Sequence, residues 1–143
     1  MGSELMALFN AALKAFGIKH NIFVVYPFHD DFDESGKPVR PPKDHLRVSY
    51  LETRPESIHV DDGSGFRRWI VQVDSVFERG NGQFAAQRVA ETLSEAFPFL
   101  TNFEGANHRY RVEELPAIAP PVPDEGKAFF IPVSFELATF TRG

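Results

Sequence analysis

The chain has 143 residues, 43% of them hydrophobic and 24% charged, which is the composition of one globular domain over 1–143 and excludes a globally disordered segment. It contains no cysteine, so disulfides and thiolate metal sites are excluded, and its fifteen phenylalanines predict a core of packed rings. Twenty acidic residues against fifteen basic ones leave a net charge of −5, a poor balance for displacing counterions from a polyanion, so no sequence-specific nucleic-acid partner is expected.

No basic segment followed by an apolar run opens the chain, and no apolar stretch has the length of a membrane span. The expectation is a soluble, unexported protein with no membrane partner. Near the N-terminus Leu5, Leu8, Phe9, Ala12, Leu13 and Phe16 recur at helical spacing. Ser3 is placed to cap this helix and Gly17 to stop it in the left-handed conformation. Ile22 to Tyr26 (IFVVY) is of strand type and is closed by Pro27. The following stretch, 27–45, has no periodicity and is rich in Pro and Asp. A loop of that length in a small domain reads as an extended arm with a function of its own.

Leu46 to Thr53 alternates apolar and polar residues, Ser57 to Val60 is a further short strand, and Asp61 to Gly65 is a turn. The stretch that organises the chain is 66–97. Trp69, Val71, Val73 and Phe77 share one strand parity, while Arg68, Gln72 and Asp74 lie on the other. After Gly80-Asn81-Gly82 the period changes to that of a helix, with Phe84, Ala85, Val89, Ala90, Leu93 and Phe97 along one side and Pro98 as its end. His108 to Glu113 predicts a strand, and Leu115 to Pro123 a stiff proline-rich loop. Ala128 to Thr141 predicts the last strand, which Pro132 assigns to a sheet edge or a bulge. The order α-β-β-β-β-α-β-β describes an α+β domain, a mostly antiparallel sheet with two helices packed on it.

Chemistry-bearing residues are sparse. Asp31, Asp33, Ser35 and Gly36 match the start of a calcium loop, but position 12, which needs a bidentate Glu, is Pro42. His29, Asp30 and Asp31, with His45 and His59 further along, lack any metal-binding spacing. Gly80-Asn81-Gly82 is not followed by the Lys-Ser/Thr of a phosphate loop, and no serine sits in a nucleophile elbow. Arg67 and Arg68 beside Trp69 have the composition of a protein-contact patch, although a solvated strand start with Trp69 in the core is the plainer reading of the same residues. No catalytic set, no cofactor and no metal follow from the residues, so the expectation is a protein that is not an enzyme.

Four stretches taken together resemble the tail terminator (tail completion) family of long-tailed bacteriophages and prophages, of the lambda type. They are the helix ELMALFNAALKAF, the arm leading into HLRVSYLET, the strand-turn-helix GFRRWIVQVDSVFERGNGQFAAQRVAETLSEAF and the closing strand AFFIPVSFELATF. The resemblance implies a tail-terminator-like fold and a non-enzymatic virion protein made in the bacterial host cytoplasm. It further implies a six-membered ring on the head-facing end of the tail tube. Its expected partners are copies of itself, the tail tube protein and a head-completion protein. Within that reading the arm residues Phe28, Asp30, Asp31, Phe32, Lys37, Arg40 and Lys43, with Arg67 and Arg68, are the candidate contacts to a neighbouring subunit or to the tube. Two alternatives are another neck or head-completion protein, and a small metal-dependent or ligand-binding enzyme using His29, Asp31 and Asp33.

Overall fold

The computed structural model describes residues 2–26, 44–52, 67–78, 82–124, 126 and 128–141. The expected strand Ser57–Val60 and the arm up to Lys43 lie outside the described residues.

The centre of the fold is a pair of long strands, β3 (Arg67–Glu78) and β8 (Ala128–Thr141). They run antiparallel in one unbroken register from Arg67 opposite Thr139 to Glu78 opposite Ala128. Strand alternation sends Trp69, Val71, Val73 and Phe77 to the same side as Ile131, Val133, Phe135 and Leu137, and all of these are buried. β2 (His45–Glu52) pairs antiparallel with the other side of β3, and β1 (Val24–Val25) adds a parallel edge to β2. The outer side of β8 is covered piecewise by the chain between α2 and β8. β5 (His108–Val112) pairs with its C-terminal part and carries β4 (Asn102–Glu104), while β6 (Ala117–Ile118) and β7 (Val122–Pro123) pair with its N-terminal part. The sheet order is β1-β2-β3-β8-β5-β4, with β6 and β7 alongside β8. This is an α+β fold with a mostly antiparallel sheet.

Both helices cover one face. α1 (Gly2–His20) buries Leu5, Phe9, Leu13 and Phe16, the stripe read from its spacing. Its N-terminal end is held at β5 by Glu4, which accepts a hydrogen bond from the Tyr110 hydroxyl at 3.1 Å, and its C-terminal end packs beside Val24 of β1. The rise from Glu4 to Gly17 is roughly 20 Å. That matches about four inter-strand steps, so α1 straps the width of the sheet. α2 (Gln83–Ala96) lies beside it and buries Ala86, Ala90 and Leu93, with Phe97 just beyond its end. At the meeting point the Phe9 ring is 5.3 Å from Phe97, 5.3 Å from Phe103 and 5.7 Å from Phe135, the aromatic core that the phenylalanine count predicted.

Several expectations are corrected. α1 does not stop at Gly17. It continues to His20, and Asn21 takes the left-handed conformation (φ 55°). The Asn21 and Ile22 amides donate back to the Ile18 and Gly17 carbonyls at 3.4 and 2.8 Å, a Schellman closure. Ser3 lies inside the first turn rather than capping it. In α2 the buried stripe is Ala86, Ala90, Leu93 and Phe97 with Val89 half-buried beside it, whereas Phe84 and Ala85 are exposed. Phe84 shares the outer face with Arg88, Glu91 and Glu95, which follow it at helical spacing.

Pro132 is neither at an edge nor at a bulge, because β8 is central and its register with β3 is continuous. The Pro132 carbonyl accepts from the Ala119 amide at 2.9 Å, so its nitrogen also faces that side and β3 loses no donor. The loop Leu115–Pro123 is not a bare connection, since β6 and β7 lie within it. Those two strands and β4 also extend the expected strand order.

Candidate interaction surface

The sheet face turned away from the helices carries the polar residues of each strand. Here Arg47 of β2 donates to Asp74 of β3 through Nε at 3.2 Å and Nη2 at 3.1 Å, and to Asp124 through Nη1 at 3.0 Å. Its guanidinium lies 5.1 Å from the centre of the Phe130 ring. Asp74 is buried and accepts a further bond from Gln72 Nε2 at 2.7 Å, so its carboxylate is compensated on both oxygens. Along β5, the run His108-Arg109-Tyr110-Arg111 is divided by strand alternation. Tyr110 enters the core, Arg109 donates to Glu104 at 2.7 Å, and Arg111 donates to Glu113 at 2.9 Å while lying 4.7 Å from the Phe140 ring centre. His108 Nδ1 is 3.7 Å from the Glu4 carboxylate. These arginines are each taken up by a carboxylate, which disfavours a phosphate-binding track. Among the described residues no group of three or more His, Asp or Glu stands close enough to hold a metal ion, and no buried side-chain N or O atom lacks a partner.

Two apolar features are exposed on the flanks of the sheet. At the β1 edge, Lys14, Ile18, Phe23, Val24, Tyr26 and Asp44 border an open groove of about 660 Å³ along the end of α1. Burial raises the Tyr26 hydroxyl pKa above its ordinary value. A smaller cleft of about 200 Å³ adjoins it between β2, β3 and α2, with Asp44, His45, Ser75 and Ala85 on its walls. At the opposite edge, 115–123 presents nine consecutive residues without a charged or polar side chain, and Leu115, Pro121 and Val122 are exposed.

The sequence-expected contacts are distributed as follows. Phe28, Asp30, Asp31, Phe32, Lys37, Arg40 and Lys43 lie outside the described residues, as do His29, Asp33 and His59. Arg67 opens β3 opposite Thr139, and Arg68 is exposed on the sheet face away from the helices, opposite Ala138. Trp69 is in the core, where its indole Nε1 donates to Thr139 Oγ1 at 3.0 Å. The groove escaped the sequence reading because its walls come from α1, β1 and the start of β2. The strip 115–123 had a legible signal, its uninterrupted lack of charge beside an otherwise charged surface.

A search of curated proteins finds no match to this chain. A solved structure superposes with a TM-score of 0.76 at 18% identity, covering 100% of this chain and 98% of the other, which establishes likeness of fold. Among the described residues no helix is long and apolar enough to cross a membrane. The family model described as phage tail terminator protein matches residues 4–136, nearly all of the two helices and eight strands among the described residues. The chain belongs to the phage tail terminator family.

Proposed function

We propose that the protein is a non-enzymatic virion component that assembles with copies of itself into a ring on the head-facing end of the tail tube. There it stops addition of tube subunits and offers the surface on which a head-completion protein docks. The observation that carries this reading is the family match across residues 4–136. The surface is consistent with it, because arginines paired with carboxylates and apolar flanks suit protein contacts. The tail tube protein, the head-completion protein and further copies of this chain are its partners in this reading, and the phage tail is its location. The arm residues from Phe28 to Lys43, with Arg67 and Arg68, remain candidate contacts to these partners.

Deletion of the gene in the phage or prophage that encodes it, followed by negative-stain microscopy, tests the function. Over-long tails without heads are the expected result. Tails of normal length beside filled heads would move the protein to another position in the neck, and intact infectious particles would overturn the structural role.

A further inference from the structure

The groove and the proline-rich strip lie on opposite flanks of one sheet. β6 and β7 border β8 on one side, and β1 lies beyond β3 and β2 on the other. Four inter-strand steps separate them, roughly 19 Å, so an open sheet does not bring its own strip to its own groove. Two copies can do so side by side, and such a contact joins unlike surfaces. Contacts of that kind propagate head to tail and close into a ring when the rotation between copies permits.

The two surfaces match in chemistry. In the strip, Pro116, Pro120, Pro121 and Pro123 fix the backbone, so little conformational entropy remains to be lost on docking. One side of the strip is tied to β8 by β6 and β7, while Leu115 stays 77% exposed. Proline-rich segments of this type seat in grooves lined by aromatic rings. The groove supplies Phe23 and Tyr26, with Ile18 standing 73% exposed at its rim. One pair of flanking charges is opposite: exposed Glu114 precedes Leu115, and exposed Lys14 lines the groove on α1, which Asp44 also lines.

We infer that the strip Leu115–Pro123 of one copy docks in the α1–β1 groove of the next copy, forming the lateral contact of the assembly. The inference rests on the reading of the chain as a ring-forming cap. It adds a second contact surface, distinct from the arm and from Arg67 and Arg68.

The test uses the absence of cysteine from the native chain. Ile18→Cys and Leu115→Cys are placed singly and together in the full chain. They are then treated with a short bis-maleimide, both in the purified protein at high concentration and in extracts containing assembled tails. Both side chains are exposed, and unchanged melting curves verify that the variants fold. The expected result is a ladder of covalent multimers from the double variant, heterodimers alone from a mixture of the two single variants, and monomers from each single variant by itself. Cross-linking of either single variant to itself would replace the contact by a symmetric one and overturn the inference. Absence of cross-links in both preparations would overturn it too, as occupation of the groove by residues 27–43 of the same chain would produce. Tail length in the deletion strain is scored independently. Over-long tails without cross-links would retain the capping role and discard this contact, whereas cross-links with unaffected tails would do the reverse.

Discussion

Gly17 approaches Ile22 so closely that a Cβ on Gly17 would lie 2.7 Å from the Ile22 carbonyl oxygen and 3.0 Å from Val24 Cγ2. The same two residues are joined by the Ile22 amide, which donates to the Gly17 carbonyl at 2.8 Å. The glycine therefore serves to bring β1 against the end of α1, and the left-handed turn is left to Asn21.

This geometry reverses an ordinary expectation. In an unobstructed helix, Gly→Ala gains about 1 kcal/mol. Here the obstruction is backbone that cannot rotate away, so Gly17→Ala is expected to cost about 1–3 kcal/mol, the range of an overpacked interior. Urea unfolding should show a lower midpoint with an unchanged slope. A midpoint equal to or above that of the parent would mean that β1 is not seated on α1 as described.

Phe9 and Phe84 are both helical phenylalanines, and they should behave in opposite ways. Phe9 is fully buried among Phe97, Phe103 and Phe135, so Phe9→Ala is expected to cost about 3–5 kcal/mol. Phe84 is 88% exposed, and Phe84→Ala is expected to change stability by less than about 0.5 kcal/mol. Equilibrium denaturation of the two variants checks the pair, and comparable losses would contradict the assigned orientation of α2.

The contrast between those residues marks where the sequence was readable. The α1 stripe and the alternation of β3 and β8 could be read because each element buries one face over many residues, so periodicity alone identifies it. The phase of α2 could not be read reliably at its first turn. Phe84 has the hydrophobicity of a core residue, and only packing on β3 and β8 selects Ala86 for the interior. Pro132 was misread because a proline excludes a central strand only where its missing N–H faces a ladder partner. Here that side faces the short segment around Ala119. The groove at the β1 edge depends on Lys14, Ile18, Phe23 and Asp44 coming together across three elements, information that local patterning does not hold. The paired arginines are similar, since Arg47 meets Asp74 and Asp124 only through the strand register.

The buried indole offers a test of polar satisfaction in the core. Trp69 Nε1 donates to Thr139 Oγ1 across the β3–β8 ladder, and both residues are buried. Thr139→Val keeps the side-chain shape but removes the acceptor, leaving a desolvated N–H. The expected loss is about 1–3 kcal/mol. Thr139→Ser keeps the hydroxyl and should recover part of the loss. Thermal melts followed by tryptophan fluorescence would separate the two. Equal destabilisation by Val and Ser would assign the cost to packing of the methyl group instead.

Stability should fall at alkaline pH because the fold holds tyrosines neutral, Tyr50 and Tyr110 more strongly than Tyr26. Burial raises the Tyr50 pKa well above its ordinary value of 10.0, with the charge on Tyr26 adding to it, and the Tyr50 hydroxyl donates to Asn10 Oδ1. Burial likewise raises Tyr110, reinforced by its hydrogen bond to Glu4 and by the negative charge of that carboxylate. Below pH about 10 both folded and unfolded chains carry these protons, and stability is independent of them. Above it the unfolded chain ionises first and binds fewer protons than the native one, so the free energy of unfolding decreases as pH rises. Urea midpoints measured from neutral to strongly alkaline pH should therefore decline, and the decline should be shallower in Tyr50→Phe and in Tyr110→Phe. Each variant also loses a hydrogen bond, about 1 kcal/mol at neutral pH, so the informative quantity is the slope with pH rather than the absolute midpoint. An alkaline slope identical to that of the parent in both variants would show that neither hydroxyl is shielded, and would count against the strapping of α1 across the sheet by Asn10 and Glu4.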